Sequence, residues 1–168
     1  VPVPASLSCA DAPGRYPIIL PDLPHELQTV TGDGVTVIVL DTMPKQRQLA
    51  RAAEAAEEHN LLMLDVVNTL TINDFRIVDG TDTPGPTEPE TGKDIYGRLI
   101  GFRMPDHGLF VSGIIRDVAP DANLESYRVL NDFCAGSVQT ITSALNLIYE
   151  RMSSPNGDLN GKPVVINM

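Results

Sequence analysis

The chain has 168 residues, of which 42% are hydrophobic and 20% charged, so it is long enough and apolar enough to bury the core of one globular domain. Its formal net charge of −10 excludes the basic surface that nucleic acids and anionic membranes require. No apolar run approaches the roughly 20 residues that cross a bilayer, so we expect no membrane span.

The first 33 residues are rich in proline and polar side chains. Proline disrupts helices and sheet ladders, so residues 1–33 are predicted to form an extended arm on a domain that spans residues 34–168. The two cysteines are Cys9 and Cys134. The sequence leaves open whether they form one disulfide or remain free thiols.

The first predicted element of the domain is a strand over residues 35–40, VTVIVL. An uninterrupted run of strand formers is typical of a parallel strand that is buried on both faces. The run ends at Asp41 and Thr42. Because open α/β sheets bind ligands at the carboxyl ends of their strands, Asp41 is a candidate functional residue.

Alternating elements are predicted between this strand and residue 105. Residues 44–60 are dominated by good helix formers and predict a helix. The apolar run at residues 61–67 predicts a second buried strand, which would complete a βαβ unit. Residues 75–78 predict a short strand. The loop at 79–94, rich in proline and acid, forms either one wall of a substrate cleft or a surface insertion.

The stretch from Asp106 to Leu130 predicts a helix followed by a strand. Asp106 is suited to cap the helix with its carboxylate, and His107 then lies in the first turn. An apolar helix face is predicted from the spacing of Phe110, Val111, Ile114 and Ile115. The helix ends before Pro120, and a buried strand is predicted from Leu124, Tyr127, Val129 and Leu130.

The last third of the chain predicts a loop, a helix and a strand. Residues 131–137 form the loop. An amphipathic helix is predicted from apolar residues that recur at steps of three and four, namely Val138, Ile141, Leu145, Ile148 and Met152. Residues 163–167 predict a final strand that is buried on both faces.

Four of these segments, in this order, resemble the subtilisin-like serine proteases (subtilases). They are VIVLDT, HGLFVSGI, VAPDANLESYRVL and VVINM, and the resemblance covers residues 34–41 and 106–168. It implies a three-layer α/β fold with a mostly parallel central sheet and helices on both faces. It also implies a serine endopeptidase in which Asp41 and His107 are the acid and the base of an Asp-His-Ser triad.

Further expectations rest on the same resemblance. In subtilases the nucleophilic serine and the oxyanion-hole asparagine lie beyond the position of Met168. The chain is therefore expected to be the N-terminal portion of a catalytic domain, inactive alone, with the missing C-terminal half as its partner. The substrate is a peptide or protein, and Ala135, Gly136 and Ser137 are expected to bind its backbone. Secretion is implied, and no cofactor or metal is expected.

Three positions depart from the subtilase pattern and keep other functions open. Met43 stands where glycine is common, Leu109 and Phe110 follow His-Gly, and Ser112 replaces an alanine. An inactive subtilase-like scaffold or a noncatalytic protein-binding module is the alternative. On the residues alone, Asp41 caps a turn and His107 is a hydrogen-bonded structural histidine. A nucleotide-binding domain is disfavoured, because no glycine-rich phosphate loop follows the first strand.

Overall fold

The structure, a computed structural model, describes residues 30–56, 61–74, 77–78, 81–84, 98 and 103–168. Its strands are β1 (Thr36–Asp41), β2 (Thr71–Asp74), β3 (Ile77–Val78), β4 (Thr81–Pro84), β5 (Asn123–Arg128) and β6 (Val164–Asn167). Its helices are α1 (Gln46–Ala56), α2 (Leu61–Thr69), α3 (His107–Val118) and α4 (Val138–Ser153).

Four of the strands form a parallel sheet in the order β2-β5-β1-β6. The predicted parallel sheet of an α/β fold is therefore confirmed. Strand β1 is paired on both sides, and all six of its residues are buried. Strands β3 and β4 form a separate antiparallel pair.

Helices cover both faces of the sheet, because alternate side chains of β1 enter two different cores. Val37 and Val39 pack with residues of α2 and α3. Ile38 and Leu40 pack with Tyr127 of β5 and with the buried face of α4. This sheet between two helical layers places the carboxyl ends of β1 and β5 beside the amino end of α3.

The strand predicted at residues 61–67 is wrong, since α2 occupies Leu61–Thr69. Val66 of this helix and Leu70, which directly follows it, are buried in the core beneath α3. The Thr69 hydroxyl donates to the carbonyl of Asp65 over 2.6 Å, as expected for a helical turn. The βαβ unit that was built on this strand is therefore wrong as well.

The other predicted elements agree with the structure fully or in part where it describes them. The helix predicted over residues 44–60 is α1, and residues 57–60 lie outside the described residues. The last predicted helix and strand are α4 and β6, but β6 is mostly exposed and not buried on both faces as predicted. Of the predicted strand at 75–78, the structure describes β3, and β4 lies within the predicted loop at 79–94. The arm at 1–33 is described only from residue 30.

Candidate functional site

The first component of the site is the carboxyl end of β1. Asp41 is the last residue of this strand and lies opposite Arg128 of β5 in the parallel register. It is only 7% exposed, since β5 pairs with the end of the strand on one side and Gly108 of α3 packs against it. One carboxylate oxygen of Asp41 accepts a hydrogen bond from the amide of Thr42 over 2.5 Å, which fixes the side chain.

The second component is the first turn of α3, which begins at His107. Gly108 lies against the end of β1. A Cβ atom built on Gly108 would lie 2.1 Å from the carbonyl oxygen of Thr42 and 2.9 Å from the Cβ of Asp41. Only a residue without a side chain allows this approach, so Gly108 is what brings His107 to Asp41.

The two candidate catalytic residues are in direct contact. His107 Nδ1 lies 2.7 Å from Asp41 Oδ2, although 66 positions separate them in the chain. The carboxylate is an acceptor, so the geometry fits an Nδ1–H that donates to it. The His107 side chain is 43% exposed and that of Asp41 only 9%. The imidazole is therefore held at one nitrogen and remains accessible to a reacting group.

The predicted side-chain cap at Asp106 is wrong. Asp106 occupies the N-cap position of α3, but its side chain makes no capping hydrogen bond. Its backbone carbonyl accepts the first helical bond, from Phe110. Thr42 binds the first turn of the helix instead, because its hydroxyl accepts a hydrogen bond from the amide of Gly108 over 3.4 Å. The start of α3 is thus fixed by the same loop that carries Asp41.

The predicted apolar face of α3 is only partly correct. Val111 and Ile115 pack against the core together with Leu109, but Phe110 is 67% and Ile114 40% exposed. Phe110, Ile114 and Val118 follow one another at steps of four and lie on the same side of the helix as His107. We call these three residues the α3 stripe. The α3 stripe continues the line of His107 along an exposed helix surface.

The three predicted substrate-binding residues lie in the loop between β5 and α4. Ser137 is the N-cap of α4, and its hydroxyl accepts from the amide of Thr140 over 3.0 Å. Gly136 packs so closely that an added Cβ would lie 2.6 Å from the side chain of Leu130. The amide of Ala135 donates to the side chain of Asn131. The loop is therefore ordered by its own contacts.

Cys134, in the same loop, is a free and exposed thiol. Its φ angle of 58° is in the left-handed region, where hydrogen bonds within the loop hold it. Burial and then the charge of Asp41 raise the pKa of this thiol. Of the two alternatives left by the sequence, the structure thus contains the free thiol at Cys134. Cys9 lies outside the described residues.

A cluster of charged residues beside Asp41 and His107 was not predicted from the sequence. Asp132 is 8% exposed, and its carboxylate accepts hydrogen bonds from both Arg103 and Arg128. One sequence signal was available, since an arginine inside a buried strand requires a counter-charge and Asp132 follows Arg128 by four positions. Arg103 also lies over the ring of Phe133, 5.9 Å from its centre.

A comparison with protein-family models, with curated proteins and with solved structures found no match to this chain. Among the residues that the structure describes, no group of three metal-ligating side chains is present. None of the helices in this part of the chain has the length and apolar character needed to cross a membrane.

We expect Gly108→Ala to separate His107 from Asp41. The added methyl group meets backbone atoms, which cannot rotate away, so α3 must shift at a cost of about 1 to 3 kcal/mol. The 15N shifts of the imidazole report whether Nδ1 still carries the donated proton. Ser112→Ala is the control, because it removes only a hydrogen bond to the Gly108 carbonyl and adds no volume. An unchanged imidazole signal in Gly108→Ala would contradict the prediction.

Proposed function

We propose that the chain supplies the acid and the base of a serine endopeptidase of the subtilisin type. The observation that carries the proposal is the 2.7 Å contact between His107 Nδ1 and Asp41 Oδ2, made by a buried carboxylate and an accessible imidazole. A serine hydroxyl becomes a strong nucleophile only when a neutral imidazole takes its proton, and a carboxylate at Nδ1 leaves Nε2 free to do so.

Each residue then has a definite role. His107 Nε2 takes the proton of the serine hydroxyl as its oxygen attacks the peptide carbonyl, and returns it to the leaving amine. Asp41 holds the imidazole in the tautomer that has its proton on Nδ1 and stabilises the imidazolium that forms. Water then hydrolyses the acyl-enzyme in the same way. The serine and the oxyanion donors belong to the C-terminal half of the proposed catalytic domain.

The surface around His107 supports this arrangement. The α3 stripe is exposed on the side of the helix that carries the imidazole, and Val165 of β6 is 52% exposed. Exposed apolar residues are more stable when another part of the protein covers them. We propose that the serine-bearing half covers the α3 stripe and continues the sheet, which completes the three-layer subtilisin-like fold.

The departures from the subtilase pattern are compatible with the site. Met43 is fully buried in the core under α3 and fills space there. Ser112 is buried too, and its hydroxyl donates to the carbonyl of Gly108 over 2.7 Å. We propose peptides or proteins as substrates, with Ala135, Gly136 and Ser137 along the substrate backbone, and secretion as the destination.

A fluorophosphonate probe tests the proposal, because it labels only activated serines. The full-length product of the gene should be labelled at a serine outside residues 1–168, whereas the 168 residues alone should not react. Asp41→Asn and His107→Ala should each lower labelling of the full-length product by about 10³-fold or more. Labelling of a serine within residues 1–168 would overturn the assignment of roles.

The alternative is a noncatalytic protein-binding module on the same scaffold. The exposed α3 stripe favours it, since such surfaces also bind protein partners. The same experiment separates the two functions. A full-length product that is folded but unreactive towards the probe, with or without His107, would support the binding module.

A further inference from the structure

Three chain segments meet beside the Asp41–His107 pair, and Asp132 contacts two of them. Its carboxylate accepts hydrogen bonds from Arg128 at the end of β5 and from Arg103 ahead of α3. Its backbone carbonyl accepts from the amide of Met104 over 2.7 Å.

The contact with Met104 continues to the third segment. The carbonyl of Met104 accepts a hydrogen bond from the hydroxyl of Thr42 over 2.9 Å. Thr42 is the residue whose amide binds Asp41 and whose hydroxyl meets Gly108. A continuous set of hydrogen bonds therefore joins Asp132 to both members of the pair.

Asp132 also provides the counter-charge for Arg128, which lies next to Asp41. Arg128 is directly opposite Asp41 in the register of β1 and β5, so both side chains extend from the same face of the sheet. Neighbouring strands are about 4.8 Å apart, which places the Asp41 carboxylate within reach of a guanidinium at this position. In the structure the Arg128 guanidinium donates to Asp132 over 2.7 Å, and Asp41 Oδ2 accepts from His107.

We propose that Asp132 is a positioning residue for the Asp41–His107 pair. Its carboxylate holds the Arg128 guanidinium, so that Asp41 remains available to the imidazole. This inference rests on the proposed function of the pair. The hydrogen bonds of Asp132 reach Arg103, Arg128 and Met104 and not the imidazole, so it acts through Arg128 and through the segment ahead of α3.

The charge state of Asp132 agrees with this role. Burial acts to raise the pKa of its carboxyl, but the hydrogen bond from Arg103 and the charge of Arg128 outweigh burial and hold that pKa below its usual value. Asp132 is therefore a carboxylate at neutral pH. An amide at this position would keep the shape of the side chain and lose the charge that holds Arg128.

The test measures the imidazole of His107 in the 168-residue chain by 15N chemical shifts, which distinguish a proton on Nδ1 from one on Nε2. The unmodified chain should carry the proton on Nδ1. In Asp132→Asn the released guanidinium competes for Asp41, so the Nδ1–H form should fall from the major to the minor tautomer. Asp132→Glu, which keeps the charge, should retain most of the Nδ1–H form.

The double variant Asp132→Asn/Arg128→Met decides between positioning and a merely structural role. It removes the competing guanidinium, so the Nδ1–H form should return to the level of the unmodified chain. A structural defect would not be repaired by a second buried substitution. An unchanged tautomer in Asp132→Asn, or no recovery in the double variant, would overturn the role of Asp132 alone. An unmodified chain with the proton on Nε2 would instead overturn the Asp41–His107 pair, and the proposed function with it.

Discussion

Replacing Arg151 by alanine is expected to lower the free energy of unfolding by about 3 kcal/mol, because it leaves a buried carboxylate without its counter-charge. That carboxylate is Glu125 of β5, whose side chain is 8% exposed. For a domain of this size the change corresponds to a fall in Tm of about 6 to 12 °C. Thermal melts and urea titrations at neutral pH measure both quantities.

The size of the effect follows from how Arg151 is bound. Its three guanidinium nitrogens donate five hydrogen bonds, two of which reach the carboxylate oxygens of Glu125 over 2.7 and 3.0 Å. Two more reach Asp158 and a fifth reaches the hydroxyl of Tyr127. The residue thereby ties the C-terminal part of α4 to β5 and to the turn before β6. An ammonium group cannot reproduce this planar set of contacts.

Two control variants separate the buried contact from the exposed one. Arg151→Lys keeps the charge and should recover only part of the lost stability. Asp158→Asn removes the solvent-exposed partner and should have a small effect, since exposed ion pairs contribute little. Equal losses in Arg151→Ala and Asp158→Asn would contradict the claim that Glu125 is the residue that matters.

The Arg151 contacts also make stability sensitive to acid. The hydrogen bond from Arg151 lowers the pKa of Asp158 below the 3.8 of a free aspartate. The unfolded chain therefore binds this proton more readily than the folded chain. The contribution is complete above pH 3.8 and is lost as the pH falls through the folded pKa. In Arg151→Ala this part of the acid sensitivity should disappear from melts recorded between pH 5 and 2.

A short apolar run predicted one element correctly and another incorrectly. Strand β1 needs apolar residues on both faces, so its continuous run of strand formers was diagnostic. The run at residues 61–67 is equally apolar, but periodicity alone does not separate a buried helix from a buried strand over so short a length. Leucine and methionine favour the helix that forms there.

Strand β2 was missed for the opposite reason. Among the strands that the structure describes, its four residues, TIND, pair with β5 alone and lie at the edge of the sheet. An edge strand is partly solvated and needs no apolar run, so its sequence resembles that of a loop. Tertiary pairing, which no local pattern reports, makes this segment a strand.

The two central residues of the candidate site could be predicted from the sequence, but the neighbouring residues that hold them in place could not. Asp41 and His107 were predicted from motif order, and the structure brings them into contact. The contributions of Thr42 and Asp132 depend on how three segments meet, which requires the fold. The cap assigned to Asp106 failed because the loop after β1 lies close enough to satisfy the helix start itself.

Strand β6 is expected to make the isolated 168-residue chain self-associate. Within the described part of the chain it pairs with β1 alone, at the edge of the sheet. Val165 is 52%, Ile166 39% and Met168 78% exposed, so the strand predicted to be buried on both faces is open. Unpaired backbone groups on an exposed apolar strand are a template for another strand.

Light scattering over a concentration series should therefore show a mass above the 18.1 kDa of the monomer. Val165→Lys should restore the monomer, because a charged side chain on an edge strand opposes pairing. Tyr149→Lys is the matched control, since it places the same charge at a 69% exposed position on α4 and should leave association unchanged. A monodisperse monomer of the unmodified chain at high concentration, with a sharp melt, would contradict the prediction. Another segment of the same chain would then cover the edge of β6, and the proline-rich arm of residues 1–33 is the candidate. The proposal of a missing half would be replaced by that of a self-sufficient domain.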